Sequence, residues 1–395
     1  MTIDLVSPRM AKLLDTVSPF LNFYTDSEWT QRKDEQDIAD FVLGNPHEMP
    51  LPGFVKAMQK WSEPQNKDWF AYKDYVPSAR KIAAVSLSEH RGIAFDPEDI
   101  LITSGAFAGL NVTIGTVTNP GDEVIFISPP WFFYEGMILQ HGAIPVRVKV
   151  ESDTYGLDLN AIEAAITEKT RAIIINSPNN PTGRIYSREE LSALAKILTA
   201  ASEKYDHTIY IISDEAYSKI VYGDREFPSP AKFYPNTFLI YTYGKTLLIP
   251  GQRIGYIALP PDMPQRASMR DAIFGAQLFM SYGFANAVLQ YALADIDKLS
   301  IDMLHLEKKR DRMVNELQNA GYELNTPEGT FYLLVKSPLE DDMAFMDLLA
   351  KEKVFCLPGS VFEMPGFFRI SLTANDEMID RGLPGFVKAF QRAMK

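Results

Sequence analysis

A lysine and an arginine lie close together in the stretch Tyr241–Tyr256, which has the sequence YTYGKTLLIPGQRIGY. Lys245 sits among small residues, and Arg253 follows eight residues later between Gly251 and Gly255. A lysine amine can condense with an aldehyde, and a guanidinium can hold a phosphate through two parallel hydrogen bonds. The same spacing also occurs by chance around surface turns, so this pair alone does not decide a function.

Other candidate residues follow short apolar segments that are typical of buried strands. They are Gly105 after DILIT, Trp131 after EVIFI, Asn180 after RAIIIN, Asp214 after YIIS and Lys245 after FLIYT. Ligands of a parallel sheet bind beyond the carboxyl ends of its strands. We therefore expect these five residues to meet at one edge of a sheet.

The elements that would position these residues alternate between strands and helices. Strands are predicted at 99–103, 123–127, 145–150, 171–176, 210–213, 238–242 and 254–259, and helices at 79–89, 108–117, 159–165 and 187–204. Ser187 followed by Glu190 forms a capping box for the last of these helices. This alternation predicts an α/β fold with a mostly parallel, seven-stranded sheet that helices cover on both faces.

The two ends of the chain have a different pattern. Residues 1–38 are predicted to form an amphipathic or irregular arm, followed by a short strand at 41–43. From about Met303, a charged helix leads into two further strand and helix segments, which predicts a smaller α+β domain. We expect an N-terminal arm at 1–45 that contributes to the small domain, a large domain at 46–290, and a small C-terminal domain at 291–395.

Composition narrows the class of function. The 395 residues are 46% hydrophobic and 23% charged, with a net charge of −12 and a pI of about 5.0, so a nucleic-acid partner is not expected. The single cysteine, Cys356, excludes an intrachain disulfide and fits a reducing cytoplasm. The start has no basic region before an apolar run, so no signal peptide is expected. The five histidines show no metal-ligand spacing, so no metal site is expected.

Two long stretches carry no charge, at 100–121 and 272–294, and each is long enough to span a membrane. Both contain several glycine, asparagine, glutamine or proline residues, which lowers their mean hydropathy. We therefore predict buried core helices or subunit contacts, and no membrane partner.

The order and spacing of these motifs resemble those of the class I/II aminotransferases, which are pyridoxal phosphate (PLP) enzymes of fold type I. The resemblance extends from about residue 40 to residue 375. It implies that Lys245 holds PLP as an aldimine and then serves as general base and acid. It implies that Asp214, in SDEAY, pairs with the pyridine nitrogen, and that Tyr217 and Asn180, in NNPTG, bind the ring oxygen.

The resemblance also implies a phosphate site and a ring contact. The backbone amides of Ala106 and Phe107 at a helix N-terminus, the hydroxyl of Thr242 and the guanidinium of Arg253 would bind the phosphate. Trp131 would stack on the ring. Tyr134 would lie behind these contacting residues.

Substrate contacts are implied at both ends of the chain. Arg369, in FFRISL, would bind the substrate α-carboxylate, and an arginine in an apolar strand is costly to bury without an anionic partner. Gly44, in LGNP, would lie near the same carboxylate. A tyrosine from the neighbouring subunit of a homodimer would reach the phosphate. The glycine that usually follows this tyrosine is missing here, so Tyr72 and Tyr75 are both candidates, with Tyr72 preferred.

The function that the resemblance implies is ping-pong transfer of an amino group from an L-amino acid to a 2-oxo acid. Relatives specific for dicarboxylates carry an arginine just ahead of the segment matching 281–290, or a lysine in the phosphate loop. Leu278, Phe279, Met280 and Phe107 occupy these regions, so an uncharged, hydrophobic or aromatic substrate is expected. The alternatives are a PLP-dependent elimination lyase of the same fold and, less favoured, a PLP-binding regulatory module.

Overall fold

The structure is a computed structural model that describes residues 6–395. Its strands are β1 (Ala39–Asp40), β2 (Ile100–Thr103), β3 (Glu123–Ser128), β4 (Ile144–Lys149), β5 (Thr170–Asn176), β6 (Tyr210–Asp214), β7 (Thr237–Thr242), β8 (Gly255–Ala258), β9 (Tyr332–Lys336), β10 (Val354–Phe355), β11 (Leu357–Pro358) and β12 (Phe367–Ser371). Its helices are α1 (Pro8–Asp26), α2 (Glu28–Arg32), α3 (Pro52–Ser62), α4 (Pro77–Arg91), α5 (Gly105–Val117), α6 (Tyr134–Gln140), α7 (Leu159–Ala165), α8 (Arg188–Tyr205), α9 (Tyr243–Thr246), α10 (Arg266–Phe279), α11 (Ala287–Ile296), α12 (Met303–Ala320), α13 (Asp342–Lys351) and α14 (Asp376–Ala393).

A seven-stranded sheet has the order β2-β8-β7-β6-β5-β3-β4. The neighbours from β7 to β4 pair in parallel, and β8 runs antiparallel to both β7 and β2. The register places Asn176 beside Asp214, and Thr242 beside Gly255. The predicted mostly parallel sheet is confirmed, and the carboxyl ends of β5, β6 and β7 lie at one edge.

Helices cover both faces of this sheet because successive strand side chains point to opposite sides. In β5, Ile173 and Ile175 pack against α7 and α8, whereas Ala172 and Ile174 pack in the cluster that contains α5, α6 and α10. Helices α3, α4 and α11 pack on the β2, β7 and β8 part of the sheet. The α/β layering predicted from the alternating pattern is therefore confirmed.

The C-terminal third forms a smaller α+β unit, as predicted. Strands β11, β12 and β9 make an antiparallel sheet, and α12, α13 and α14 pack against it. Ala39 and Phe41 belong to the same buried cluster, and β1 pairs in parallel with β10. Thus the segment after the N-terminal helices packs on the C-terminal unit. Helix α11 packs on α3 and α4, and the exact division of the chain into domains stays a prediction.

The N-terminal region is more regular than the sequence suggests. Residues 8–26 form helix α1, whose N-terminus is capped by Ser7, and α2 follows directly. The part of the predicted arm at 1–5 lies outside the described residues. The strand predicted at 41–43 is instead β1 at Ala39–Asp40, although the N–H of Phe41 still donates to the carbonyl of Phe355 at 2.9 Å. A strand of two residues is too short to show a periodic pattern, so the sequence could not define its ends.

Each of the two uncharged stretches is divided between two elements of the fold. Residues 100–121 form β2 and α5, and most side chains of α5 are buried against the sheet. Residues 272–294 are divided between α10 and α11. Within residues 6–395, no helix has the length and hydropathy needed to cross a membrane.

Candidate active site

A cleft of about 200 Å³ lies at the carboxyl ends of β5, β6 and β7, beside the N-terminus of α5. It is lined by most of the residues that the sequence singled out: Ala106, Phe107, Trp131, Asn180, Asp214, Tyr217, Thr242, Lys245 and Arg253. These residues are far apart in the chain. They meet because most of them end or follow a strand of the same sheet or begin the helix after it, and Arg253 directly precedes the antiparallel strand β8.

One end of the cleft is suited to an anion. Gly105 begins α5 with φ of +81°, and the side chain of Ser104 makes no capping hydrogen bond to this helix. A Cβ atom at Gly105 would lie 3.0 Å from Nη2 of Arg253 and 3.5 Å from Oγ1 of Thr242. Glycine is therefore needed for both conformation and space. An uncapped helix N-terminus, a hydroxyl and a guanidinium together favour a phosphate group.

Asp214 provides a buried negative charge at the end of β6. Its Oδ2 accepts a hydrogen bond of 2.6 Å from the hydroxyl of Tyr134, and its Oδ1 accepts one of 3.2 Å from the N–H of Ala216. Burial raises the pKa of Asp214, while these hydrogen bonds and the charge of Lys245 oppose the rise. Within residues 6–395 this carboxylate forms no ion pair. A cationic ligand atom would compensate its burial.

Arg369, in β12, provides a buried positive charge. Nη1 donates to Oδ1 of Asn180 at 2.9 Å, Nη2 donates to the carbonyl of Val42 at 3.1 Å, and the guanidinium lies 4.0 Å from the ring centroid of Tyr332. The side chain is nearly fully buried, and its Nε has no hydrogen-bond partner among residues 6–395. No carboxylate in this part of the chain forms an ion pair with it. The guanidinium is therefore suited to bind an anionic group of a ligand.

Lys245 is the third charged residue of the site. It occupies the short helix α9 directly after β7, and its Nζ is 5.5 Å from the ring centroid of Tyr217 and 5.9 Å from that of Phe331. Its charge acts to lower the pKa values of both Asp214 and Tyr332. The described residues offer no hydrogen-bond acceptor to Nζ, so the amine is free to react.

An aromatic wall closes one side of the cleft. The ring centroid of Trp131 is 5.1 Å from that of Phe107 and 5.1 Å from that of Phe133, both in edge-to-face arrangements. Tyr134 is buried behind this wall and bonds directly to Asp214, which gives it a closer role than the sequence predicted. The wall offers ring faces to an aromatic ligand.

Tyr332 is a site residue that the sequence analysis did not identify. Burial would raise the pKa of its phenol, but the charges of Arg369 and Lys245 and a hydrogen bond with Tyr217 outweigh burial and lower that pKa. The pKa of Tyr217 is raised by burial and by its proximity to the Tyr332 hydroxyl. Because Tyr332 lies in the apolar segment TFYLLV, its sequence context is typical of a core residue.

The two tyrosine candidates for a contact with a neighbouring subunit differ in exposure. Tyr72 is 87% exposed, does not line the cleft of its own chain, and packs against Phe284 with ring centroids 5.2 Å apart. Tyr75 is half-buried, and its hydroxyl is hydrogen-bonded to Gln277. Tyr72 is therefore the candidate that is free to contact a second copy, although that role stays a prediction.

Gly44 leaves no room for a side chain. A Cβ atom there would lie 2.5 Å from the hydroxyl oxygen of Tyr332 and 3.2 Å from Cε2 of Phe331. We expect Gly44→Ala to reduce kcat/KM for the amino acid substrate by about 10- to 100-fold, because overpacking costs about 1–3 kcal/mol and displaces Tyr332 beside Arg369. Half-reaction kinetics would measure this loss.

The double variant Gly44→Ala/Tyr332→Phe serves as the control, because it removes the oxygen that the new methyl group meets. Adding Gly44→Ala to the Tyr332→Phe variant should reduce kcat/KM much less than adding it to the parent protein does. Equal losses in both backgrounds would show that Gly44 acts in some other way.

The residue after Asp214 is predicted to matter for stability. Glu215 accepts a hydrogen bond of 2.9 Å from Nε of Arg91, and both side chains are buried. We expect Glu215→Ala to reduce the free energy of unfolding by about 3–5 kcal/mol, because it leaves a buried guanidinium unpaired. Denaturant unfolding measures this change. Asp380→Ala breaks the exposed pair with Arg312 and should have little effect; similar losses in the two variants would contradict the prediction.

Comparison with known proteins agrees with this geometry. Residues 36–385 match the family model for aminotransferase class I and II. A probable aspartate/prephenate aminotransferase from Aquifex aeolicus is 32% identical over 369 residues, covering 90% of this chain and 91% of the relative. The aspartate/prephenate aminotransferase from Thermus thermophilus is 28% identical over 374 residues, which are 92% of this chain and 93% of the relative.

Solved structures of similar proteins extend the agreement to the whole fold. An aminotransferase from Eubacterium rectale superposes with a TM-score of 0.86 at 28% identity, covering 99% of this chain and 97% of the other. Aspartate aminotransferase from Thermotoga maritima gives 0.82 at 26% identity, covering 97% and 99%. These relatives are aminotransferases by name, which leaves the elimination lyase without support. The chain belongs to the class I and II aminotransferase family and is an amino-group-transferring enzyme whose cofactor is PLP.

Proposed function

We propose that this aminotransferase moves an amino group from an L-amino acid with an uncharged, hydrophobic or aromatic side chain to a 2-oxo acid by a ping-pong mechanism, with Lys245 as the reactive lysine. One observation carries the proposal. Asp214 and Arg369 are a buried anion and a buried cation, and neither forms an ion pair within residues 6–395; the charge of Lys245 acts on Asp214 and, together with that of Arg369, on Tyr332. A cofactor with a basic ring nitrogen and a substrate with a carboxylate would compensate them.

The cleft fits PLP on the chemistry of its donors. When bound, PLP supplies an electron-accepting ring that stabilises negative charge at the substrate α-carbon. Asp214 would hold the ring nitrogen, and its buried carboxylate forms no ion pair in the described chain. Asn180 and Tyr217 would bind the ring oxygen and Trp131 the ring face, while the amides of Ala106 and Phe107, with Thr242, Arg253 and the partner's copy of Tyr72, would bind the phosphate.

Asn180 is suited to contact cofactor and substrate together. Its Oδ1 accepts from Arg369, so its NH₂ group remains available as a donor to a ligand oxygen. Arg369 would hold the α-carboxylate, with the backbone at Gly44 close beside it. This anchors the substrate at a fixed distance from Lys245, whose free amine would take a proton from the α-carbon and return it.

The preference for an uncharged side chain is supported by what lines the cleft. Among the described residues, the only cationic side chains that line it are Lys245 and Arg253, which are assigned to the cofactor. Three aromatic residues, Phe107, Trp131 and Phe133, also line it. Within this lining, a second substrate carboxylate would therefore meet no cation beyond these two, since Arg369 lies outside it and is assigned to the first carboxylate. Several relatives are named for aspartate. The proposed substrate of this chain differs from aspartate because its side chain is uncharged.

A homodimer is part of the proposal. Tyr72 and Phe284 pack on each other and are exposed, and Phe70 and Phe279, close to them in sequence, are 63% and 91% exposed. Exposed aromatic groups of this kind favour a protein interface. A cytoplasmic location is also proposed, and the buried, unpaired Cys356 is compatible with reducing conditions.

The test is an absorbance spectrum of the purified protein with PLP, before and after addition of single L-amino acids. A visible band that moves to the near ultraviolet with hydrophobic or aromatic amino acids, and returns on addition of a 2-oxo acid, would support the proposal and identify the donor. Conversion by aspartate alone would overturn the substrate preference. A persistent visible band with release of ammonia would indicate elimination, and no visible band would remove Lys245 from its role.

A further inference from the structure

A second cavity, of about 470 Å³, adjoins the active-site cleft. Phe107 and Phe133 line both spaces, and their ring centroids are 5.3 Å apart. Phe107 is 36% exposed. The cavity therefore lies beside the aromatic wall and shares two of its rings with the cleft.

Most of the cavity wall is apolar. Helix α1 contributes Leu13 and Val17, and Phe132 and Met137 also line the cavity. Helix α1 is held in place because Phe20 stacks on Phe132 with ring centroids 4.5 Å apart. These surfaces suit an aromatic or long aliphatic group.

The rest of the wall contains a connected set of polar side chains. Nε2 of His141 is 3.1 Å from Oδ1 of Asn111, and Nδ2 of Asn111 donates to the hydroxyl of Tyr282 at 3.3 Å. Asn111 is only 9% exposed. Because Tyr282 accepts from Asn111, its own O–H remains available as a donor. The described residues provide no other partner for this hydroxyl.

The polar set is uncharged at neutral pH. Burial lowers the pKa of His141, the hydrogen bond with Asn111 opposes this effect and the nearby charge of Arg9 adds to it, which favours the neutral imidazole. No lysine, arginine, aspartate or glutamate side chain among the described residues lines the cavity. A charged group would therefore be buried here without a counter-ion, whereas a hydroxyl would find both a donor and an acceptor.

We propose that this cavity receives the side chain of the substrate, and that the preferred side chain is an aromatic ring carrying a hydroxyl group, as in L-tyrosine and its 2-oxo acid. The inference deepens the proposed function and rests on it. The apolar walls contact the ring, and Asn111 and Tyr282 bind its hydroxyl group. Phenylalanine is accepted less well, since it leaves these polar groups without a partner.

The first test fills the cavity from α1. Val17→Trp should lower kcat/KM for half-transamination of L-tyrosine at least tenfold and leave that of L-alanine unchanged, because alanine does not extend past the wall. Leu21→Trp is the matched control: Leu21 lies on the same helix, is 38% exposed and does not line the cavity, so its rates should not change. Unchanged tyrosine kinetics in Val17→Trp would overturn the proposal.

The second test removes the polar contact. Asn111→Leu keeps the side-chain size and should lower kcat/KM for L-tyrosine about tenfold relative to L-phenylalanine, as expected for loss of one or two hydrogen bonds. Equal effects on both amino acids would overturn the assignment of a hydroxyl site. Circular dichroism and retention of PLP would establish that both variants remain folded.

A binding measurement separates this inference from the proposed function. Calorimetry with 3-(4-hydroxyphenyl)propanoate, which has the carboxylate and the phenol but no amino group, requires no transamination. Tighter binding than 3-phenylpropanoate, with the difference abolished by Asn111→Leu, would support the cavity even if no amino acid reacted. Binding that is indifferent to the hydroxyl, in a protein that does transaminate, would overturn the inference and leave the proposed function intact.

Discussion

Replacement of Lys245 by alanine should abolish measurable transamination. General acid–base catalysis alone contributes about 10²–10⁴-fold to a rate, and this variant also loses the covalent attachment of PLP. The Nζ atom has no hydrogen-bond partner among residues 6–395. The aromatic rings nearest to it, those of Tyr217 and Phe331, offer no substitute base at that position. Single-turnover absorbance measurements would follow the reaction, and dialysis would show loss of cofactor from the variant alone.

Two further variants test whether the amine itself is required. Lys245→Arg keeps a positive charge beside Asp214 and Tyr332 but cannot form the same bond to PLP, so it should be as inactive as the alanine variant. Lys298→Ala removes an exposed lysine outside the cleft and should behave as the parent protein. Appreciable activity in Lys245→Ala, with PLP still retained after dialysis, would assign the reactive lysine elsewhere.

The elements that position Lys245 were largely predictable because their signals are local. The apolar run at 171–176 is observed as β5 at Thr170–Asn176, and the capping box at the start of α8 forms in both directions between Ser187 and Glu190. A buried parallel strand needs a continuous apolar run, and a strand end needs a polar or small residue. The sequence therefore indicated both the sheet and the edge at which its ligand site lies.

Elements without a local signal were missed or misplaced. Helix α1 contains Pro19, which removes one backbone hydrogen bond and weakens the helical pattern. Its position depends on distant contacts, including the stacking of Phe20 on Phe132. Strand β1 likewise exists only through pairing with β10, more than 300 residues later. Such partners cannot be inferred from the pattern of the segment itself.

The same distinction applies to the active site. Residues at strand ends, such as Asp214 and Lys245, could be placed together because ligands bind beyond the carboxyl ends of parallel strands. Tyr332 could not, because its importance comes from facing Gly44, Arg369 and Tyr217, which are contributed by three other parts of the chain. The residues next to Gly44 in the sequence do not indicate that its missing side chain makes room for the phenol of Tyr332. Only the folded chain shows why it must be glycine.

Replacement of Arg369 by lysine should reduce kcat/KM for amino acids by roughly 30- to 5,000-fold, mainly through a higher KM. Loss of one partner from a buried charge pair costs about 2–5 kcal/mol, and lysine lacks the planar fork that can hold a carboxylate while donating to Asn180 and Val42. The absorbance band of bound PLP should be unchanged, because Arg369 is assigned to the substrate alone. Steady-state and half-reaction kinetics would measure both effects.

A pair of substrates identifies the group that Arg369 binds. Phenylalanine and phenethylamine carry the same ring and amine, but only the amino acid has an α-carboxylate. If Arg369 acts on that carboxylate, Arg369→Lys should reduce the rate with phenylalanine strongly and leave the much slower rate with phenethylamine nearly unchanged. Equal losses with both compounds would mean that the substitution damages the cleft through Asn180 and Tyr332, since these are the side chains that Arg369 contacts. The buried guanidinium without a counter-ion would then need a different explanation.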